Sequence, residues 1–180
     1  LLAEGGPGPV PAAAPGSRSP TPPVSLGGET SATEKSNLIE VPPEEALAQA
    51  RDLLRDLYGK QYAEARTWQD KTRLAQHLLT EASKVEANPA HYHELLRIAR
   101  DVAVAGGDVT AGQKSIELLT QRFQLDGLAL RLKLLEDLAK SPRKTEATEA
   151  LRKEALQLLL DAFDADNFDV ALPAFDRLVE

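Results

Sequence analysis

Cysteine and methionine are both absent from this chain of 180 residues. Without cysteine there can be no disulfide framework, no thiolate nucleophile and no zinc site with cysteine ligands. Aromatic residues are scarce as well, with four Phe, three Tyr and one Trp. No alternating run of Val, Ile and Thr is present, and no turn joins two strand-like segments. These absences argue against a β-sandwich or barrel and predict an all-α domain packed through Leu and Ala.

Long apolar runs are also missing. No run approaches the length that spans a membrane, and no signal-peptide core is present, so we expect no membrane insertion in this segment. The chain begins Leu1-Leu2 without Met and stops at Glu180 inside an apparent helix. We therefore interpret it as a fragment of a longer polypeptide.

Positive charge is in deficit, since the formal net charge is -7. Nucleic acids and anionic lipid surfaces attract proteins that present a basic face. Acidic and basic residues are mixed along this chain, with no basic block. We therefore expect neither a nucleic-acid partner nor attraction to an anionic membrane.

Proline and glycine are concentrated near the N-terminus: nine of the twelve prolines and six of the eleven glycines precede residue 44. Residues 1–40 have almost no large apolar side chains, so burial cannot offset their conformational entropy. They are predicted to form a disordered Pro/Gly/Ala-rich linker. Residues 41–180 are long enough for one α-helical domain with its own core.

Local signals divide this domain into helices. Pro43 precedes two glutamates, which suits a helix start, and Thr67 to Asp70 has the spacing of a capping box. Asn88 followed by Pro89 predicts a further start. The apolar periodicity then gives antiparallel hairpins at about 43–87, 89–123 and 127–165, with a last helix at 168–180.

Two of these segments look alike. Residues 96–109 correspond to 156–170, with one extra residue in the second bend and a separation of about 60 residues. After the second bend, Ala171, Phe175 and Leu178 fall on one helical face. The small residue permits close approach of two helices, and Phe175 is predicted to fill the gap beyond it. After the first bend, the same spacing is repeated by Gly112, Ile116 and Leu119.

These bends and spacings resemble the second half of a tetratricopeptide (TPR) repeat, in the divergent form found in large multi-domain bacterial envelope proteins. The resemblance implies helical hairpins stacked as a short TPR-like solenoid, with an ordinary helical bundle as the alternative. It also implies a non-catalytic scaffold for protein–protein interaction or spacing within a larger protein. It favours an exported or cell-envelope location over the cytoplasm, without fixing the compartment.

Residues that could support chemistry are few. His91 and His93 diverge on a helix and lack a third ligand, so a metal site is not expected. The acidic bend that begins at Asp161 has Leu172 where a calcium loop of the EF-hand type needs Glu. No nucleotide-binding or hydrolase motif is present. We therefore expect no enzyme activity and no cofactor. The alternative is a regulatory or substrate-positioning domain of an enzyme whose catalytic part lies outside this fragment.

Three aromatic residues, Tyr62, Trp68 and Tyr92, are candidates for binding a protein partner, because Tyr and Trp are common interface anchors. The competing interpretation is that they pack the corners between helices. The sequence does not identify the partner. A sustained heptad pattern is absent, so we expect a monomer, with a self-contained bundle that homo-oligomerises as the alternative.

Overall fold

The computed structural model describes residues 38–140 and 145–179. In these ranges the protein is all-helical, as the sequence predicts, and the only sheet-like feature among them is one isolated bridge. The helices, numbered in chain order, are α1 (Glu44–Glu64), α2 (Trp68–Ala82), α3 (Pro89–Gly106), α4 (Val109–Arg122), α5 (Gly127–Ala139), α6 (Thr145–Asp164) and α7 (Phe168–Val179).

The predicted linker, residues 1–40, lies mostly outside the described residues. Its last residues run beside the end of α4. The Ile39 N–H donates to the Arg122 carbonyl at 2.9 Å, and the Gln124 N–H donates to the Ile39 carbonyl at 2.9 Å. Paired structure therefore begins before residue 41, where the sequence predicts the helical domain to start.

Two helix starts confirm the local sequence signals. At α2, Thr67 Oγ1 accepts from the Asp70 N–H at 3.1 Å, and Asp70 Oδ2 accepts from the Thr67 N–H at 3.3 Å. This reciprocal pair is the predicted capping box. At α3, the Asn88 side chain accepts from the His91 N–H, and Pro89 is the first helical residue. Both starts satisfy backbone donors that have no partner inside the helix.

The packing of the helices follows chain order. Every pair of described helices in substantial contact is separated by one or two positions along the chain. The contacts of α2 with α3, of α6 with α7 and of α3 with α4 are the most extensive. In contrast, α1 rests mainly on α3 and touches α2 only slightly. Contact restricted to near neighbours is a property of stacked helical hairpins.

The bends before α4 and α7 have the same geometry. Gly107 (φ 69°) and Asp166 (φ 52°) both adopt the left-handed conformation. In each bend the next residue's N–H donates to the carbonyl five residues earlier, at 2.9 and 2.8 Å respectively. This is the hydrogen-bond pattern of a Schellman helix end. The two left-handed residues are 59 positions apart, and each lies two residues before the next helix begins. Two residues separate α3 from α4 and three separate α6 from α7, in agreement with the extra residue that the sequence suggests for the second bend. Aspartate tolerates the left-handed conformation, so Asp166 can occupy the position that Gly107 has in the other bend.

The prediction that Phe175 fills the gap beyond Ala171 is wrong. Ala171 is fully buried, but the Phe175 side chain is 51% exposed. The buried side of α7 is formed instead by Val170, Ala171 and Ala174. The matching residue of the α3–α4 hairpin, Ile116, is buried in a core that α5 shares. No described helix covers α7 in the same way.

Two glycines within helices give a matched pair of substitutions. A Cβ at Gly112 would lie 2.8 Å from Leu134 Cδ1 in the core, whereas a Cβ at Gly59 would meet only Arg55 Cγ, at 3.9 Å. Because alanine is a better helix former than glycine, Gly59→Ala should stabilise the protein by about 0.5–1 kcal/mol. Gly112→Ala should destabilise it by about 1 kcal/mol, since Leu134 must move within a packed core. Urea unfolding followed by circular dichroism measures both changes. Stabilisation by both substitutions would contradict the close approach of α4 and α5.

Candidate functional site

An apolar groove lies between the first three helices, and we call it the α1–α3 groove. It forms because α1 leans onto α3 and leaves its contact with α2 incomplete. Its volume is about 220 Å³. Pockets for drug-sized molecules usually measure roughly 300–1,000 Å³, so this groove suits one or two apolar side chains better than a cofactor. Its apolar walls are formed by Leu54, Tyr58, Tyr62, Leu74, Leu78 and Ile98.

The cations at the edge of the groove are already paired. Arg51 Nε donates to Glu94 at 3.2 Å, Arg97 Nε donates to the same carboxylate at 2.9 Å, and Arg55 pairs with Asp52 at 3.1 Å. Burial favours the protonated form of Glu94, but the hydrogen bonds from Arg97 and Arg51 hold its pKa below the ordinary value. The groove therefore offers apolar surface more than free charge.

Two tyrosines of α1 form one wall of the groove. Tyr62 is 54% exposed, whereas Tyr58 is partly buried, with its ring edge-on to His77 at a centroid distance of 6.3 Å. Burial raises the pKa of Tyr58, and the nearby Glu81 carboxylate adds to this effect. The exposed ring of Tyr62 is thus available to a partner, and Tyr58 supports the wall behind it.

The other two candidate aromatic residues lie elsewhere. Trp68 is the first residue of α2; it is partly exposed and does not line the groove. Tyr92 is only 4% exposed, its ring lies 6.3 Å from that of Phe123, and the Arg122 guanidinium lies 5.0 Å from the ring centroid. Tyr92 faces the core side of α3, so its side chain is not accessible to a partner. Of the three candidates, the structure places only Tyr62 in the groove.

A larger cleft of about 840 Å³, more polar than the α1–α3 groove, lies among α4, α5 and α6. At its base, Arg131 Nε donates to Glu154 at 2.7 Å and its Nη1 donates to Asp161, while the Gln113 side chain also donates to Glu154. Glu154 is only 4% exposed. Burial alone would lower the pKa of Arg131, but hydrogen bonds to Glu154 and Asp161 raise it above the ordinary value. These groups satisfy one another, so the network joins three helices and leaves no unpaired charge among them.

The structure does not bring the histidines and the acidic residues of the bend after Asp161 together into a metal site. His93 is buried edge-on to Phe123 at 5.2 Å, and burial lowers its pKa. His77 lies on a different helix, and Asp161 is held by Arg131. Across residues 38–140 and 145–179, no group of three or more His, Asp or Glu side chains is arranged to hold a metal ion.

One exposed apolar surface on α6 was not predicted from the sequence. On α6, Leu156, Leu160 and Phe163 repeat at helical spacing on a side different from the buried one, and all three are exposed. The buried side of α6 is formed by Leu151, Ala155, Leu158 and Ala162. The apolar residues of this helix cover a wider arc than those four need, and this excess width was the sequence signal for a second apolar side.

No family model matches this chain, and comparison with curated proteins and with solved structures also finds no match. None of the described helices combines the length and the apolar character needed to cross a lipid bilayer. Functional inference therefore rests on the two clefts and on the exposed apolar surfaces of the helices.

Proposed function

We propose that this protein is a non-catalytic, TPR-like helical-repeat module that binds another protein through the α1–α3 groove. The observation that carries the proposal is the apolar groove itself, with the exposed Tyr62 ring at its edge. The repeat is supported by two bends that share one hydrogen-bond pattern 59 residues apart, and by substantial packing only between described helices that are one or two positions apart in the chain. Stacked hairpins of this kind commonly present binding surfaces.

The shape of the groove favours one mode of recognition. Its volume accommodates one or two large side chains, and its walls are parts of three helices. An amphipathic helix that inserts apolar side chains at spacings of three or four residues fits such a groove. Since Arg51 and Arg55 are already paired, we expect apolar anchors to supply most of the affinity.

The experiment uses the full 180-residue chain as bait against a lysate of the source organism, followed by binding measurements with the purified partner. Tyr62→Ala should weaken binding at least about tenfold, as expected for an aromatic hot spot. Trp68→Ala is the matched control, because Trp68 is also an exposed aromatic residue but lies outside the groove. It should leave the affinity unchanged.

Two results would contradict the proposal. One is a partner that is lost with Trp68→Ala and retained with Tyr62→Ala, because the binding surface would then lie outside the groove. The other is a folded, helical bait that retains no protein at any concentration tested, which would favour a passive spacer.

A further inference from the structure

The C-terminal hairpin carries an exposed apolar surface that is separate from the groove. Six large apolar side chains on it are each between 49% and 65% exposed. The rings of Phe163 and Phe168 meet edge-to-face at 5.8 Å and join the two helices of the hairpin. We call this surface the C-terminal face; it consists of Leu156, Leu160 and Phe163 of α6 and Phe168, Leu172 and Phe175 of α7.

The α3–α4 hairpin indicates what kind of structural element covers an apolar surface in this position. The residues that match Phe168 and Phe175, given the 59-residue spacing of the bends, are Val109 and Ile116. Both are buried, in a core that includes Leu134 of α5. At these two positions of the α3–α4 hairpin, therefore, a helix lies on the surface. The other four residues of the C-terminal face match Arg97, Asp101, Val104 and Gln113, none of which is buried, so the correspondence applies to the α7 side of the face, which is expected to receive a helix too.

The size of the face suits a small interface. If each of the six side chains exposes about half of the roughly 200 Å² that a large side chain can bury, the apolar area is on the order of 600 Å². That is as large as the largest apolar patch of a typical monomer, about 300–600 Å². Two such faces in contact would bury about 1,200 Å², the lower limit of stable protein interfaces.

The charges beside the face differ between its two ends. Arg152 and Lys153 are exposed on α6, just before Leu156, while Glu149 is exposed one turn before them and Asp176 is exposed near the end of α7. Asp164, Asp166 and Asp169 are exposed at the bend. Lys153 and Asp164 are about 16 Å apart along the helix axis, too far to pair within one chain. Both ends are therefore available to groups of opposite charge on whatever covers the face.

We propose that a second copy of this chain covers the C-terminal face, with the two α6–α7 hairpins packed antiparallel about a twofold axis. In this arrangement Arg152 and Lys153 of each hairpin meet the acidic bend of the other copy, and the apolar side chains lie between them. A parallel arrangement would bring the two acidic bends together, which like-charge repulsion disfavours. The sequence predicts a monomer because it has no sustained heptad pattern. A short interface between two hairpins does not need a heptad pattern.

Sedimentation equilibrium of the full chain tests the proposal. Over roughly 1–200 μM, the range expected for a small interface, the mass should rise toward twice the 19.5 kDa of one chain. Leu160→Glu should weaken the dimer roughly 100-fold, because each dimer loses two apolar contacts and gains two buried charges. Leu57→Glu is the control: Leu57 is exposed to a similar degree but lies on α1, so this variant should dimerise like the original chain.

A charge exchange tests the antiparallel arrangement. Lys153→Glu and Asp164→Lys should each weaken the dimer, and the double variant K153E/D164K should restore it, because the pair re-forms between copies with its charges reversed. A chain that stays monomeric throughout the range overturns the proposal. So does a dimer that Leu160→Glu leaves intact. A dimer that the double charge exchange fails to restore overturns the antiparallel twofold arrangement.

Discussion

Replacing Phe123 by alanine is expected to lower the free energy of unfolding by about 4 kcal/mol. Phe123 is fully buried, with Tyr92 at 6.3 Å and His93 at 5.2 Å between ring centroids. Its backbone is held as well, since Ile39 hydrogen-bonds to the residues on either side of it. The site therefore cannot collapse easily around the cavity, which argues against a cost at the low end of the range of about 3–5 kcal/mol for Phe→Ala substitutions. Denaturant unfolding monitored by circular dichroism measures the change.

Phe175→Ala is the matched control, because it removes the same atoms from a side chain that is 51% exposed. We expect a loss below about 1 kcal/mol, as for surface substitutions generally. Both variants are to be measured at the lowest workable protein concentration, so that self-association does not contribute. A large loss of stability for Phe175→Ala would mean that the buried side of α7 has been assigned incorrectly. A small loss for Phe123→Ala would mean that Phe123 does not anchor the core.

The helix starts show where prediction from sequence succeeds, and Phe175 shows where it fails. Helix starts depend on residues that lie within about one turn of each other in the sequence. The pairs Thr67 with Asp70 and Asn88 with Pro89 could therefore be recognised directly. Periodicity also identified Ala171 and Phe175 as neighbours on a helix. It did not reveal which side is covered, because burial depends on helices far away in the sequence.

The candidate site was less predictable, for the same reason. Tyr62 and Tyr92 are both tyrosines on helices, and only the packing of α1 against α3 leaves one exposed and buries the other. The groove exists because α1 and α2 separate, and no local signal encodes that separation. The Arg131 network joins residues 23 and 30 positions apart, beyond the reach of helical periodicity.

The Arg131 network provides the second substitution with a large expected loss of stability. Arg131→Met should lower the free energy of unfolding by about 3 kcal/mol, because it removes the cation that pairs with a buried Glu154 carboxylate. Among the residues that the structure describes, Gln113 would remain as a donor to that carboxylate. The arginine side chain is itself 22% exposed, which places the loss at the lower end of the range for broken buried pairs.

A double-mutant cycle separates the ion pair from the packing around it. Glu154→Leu alone should cost less than Arg131→Met, because Arg131 keeps Asp161 as a partner and has some access to solvent. When both partners become apolar no buried charge is left, so the double variant should recover at least about 1 kcal/mol relative to additivity. Additive losses would mean that the two side chains do not interact in solution.

The pH dependence of Arg131→Met gives a second check through Asp161. Burial favours its protonated form, but hydrogen bonds from Arg131 and Gln157 lower its pKa in the folded protein. A carboxyl whose pKa is lowered by folding stabilises the protein above its unfolded pKa, here 3.8, and this contribution is lost as the pH falls through the folded pKa. The stability difference between the original chain and the variant should therefore narrow on acidification below about pH 4. A difference that stays constant down to pH 2 would mean that the loss comes from packing alone.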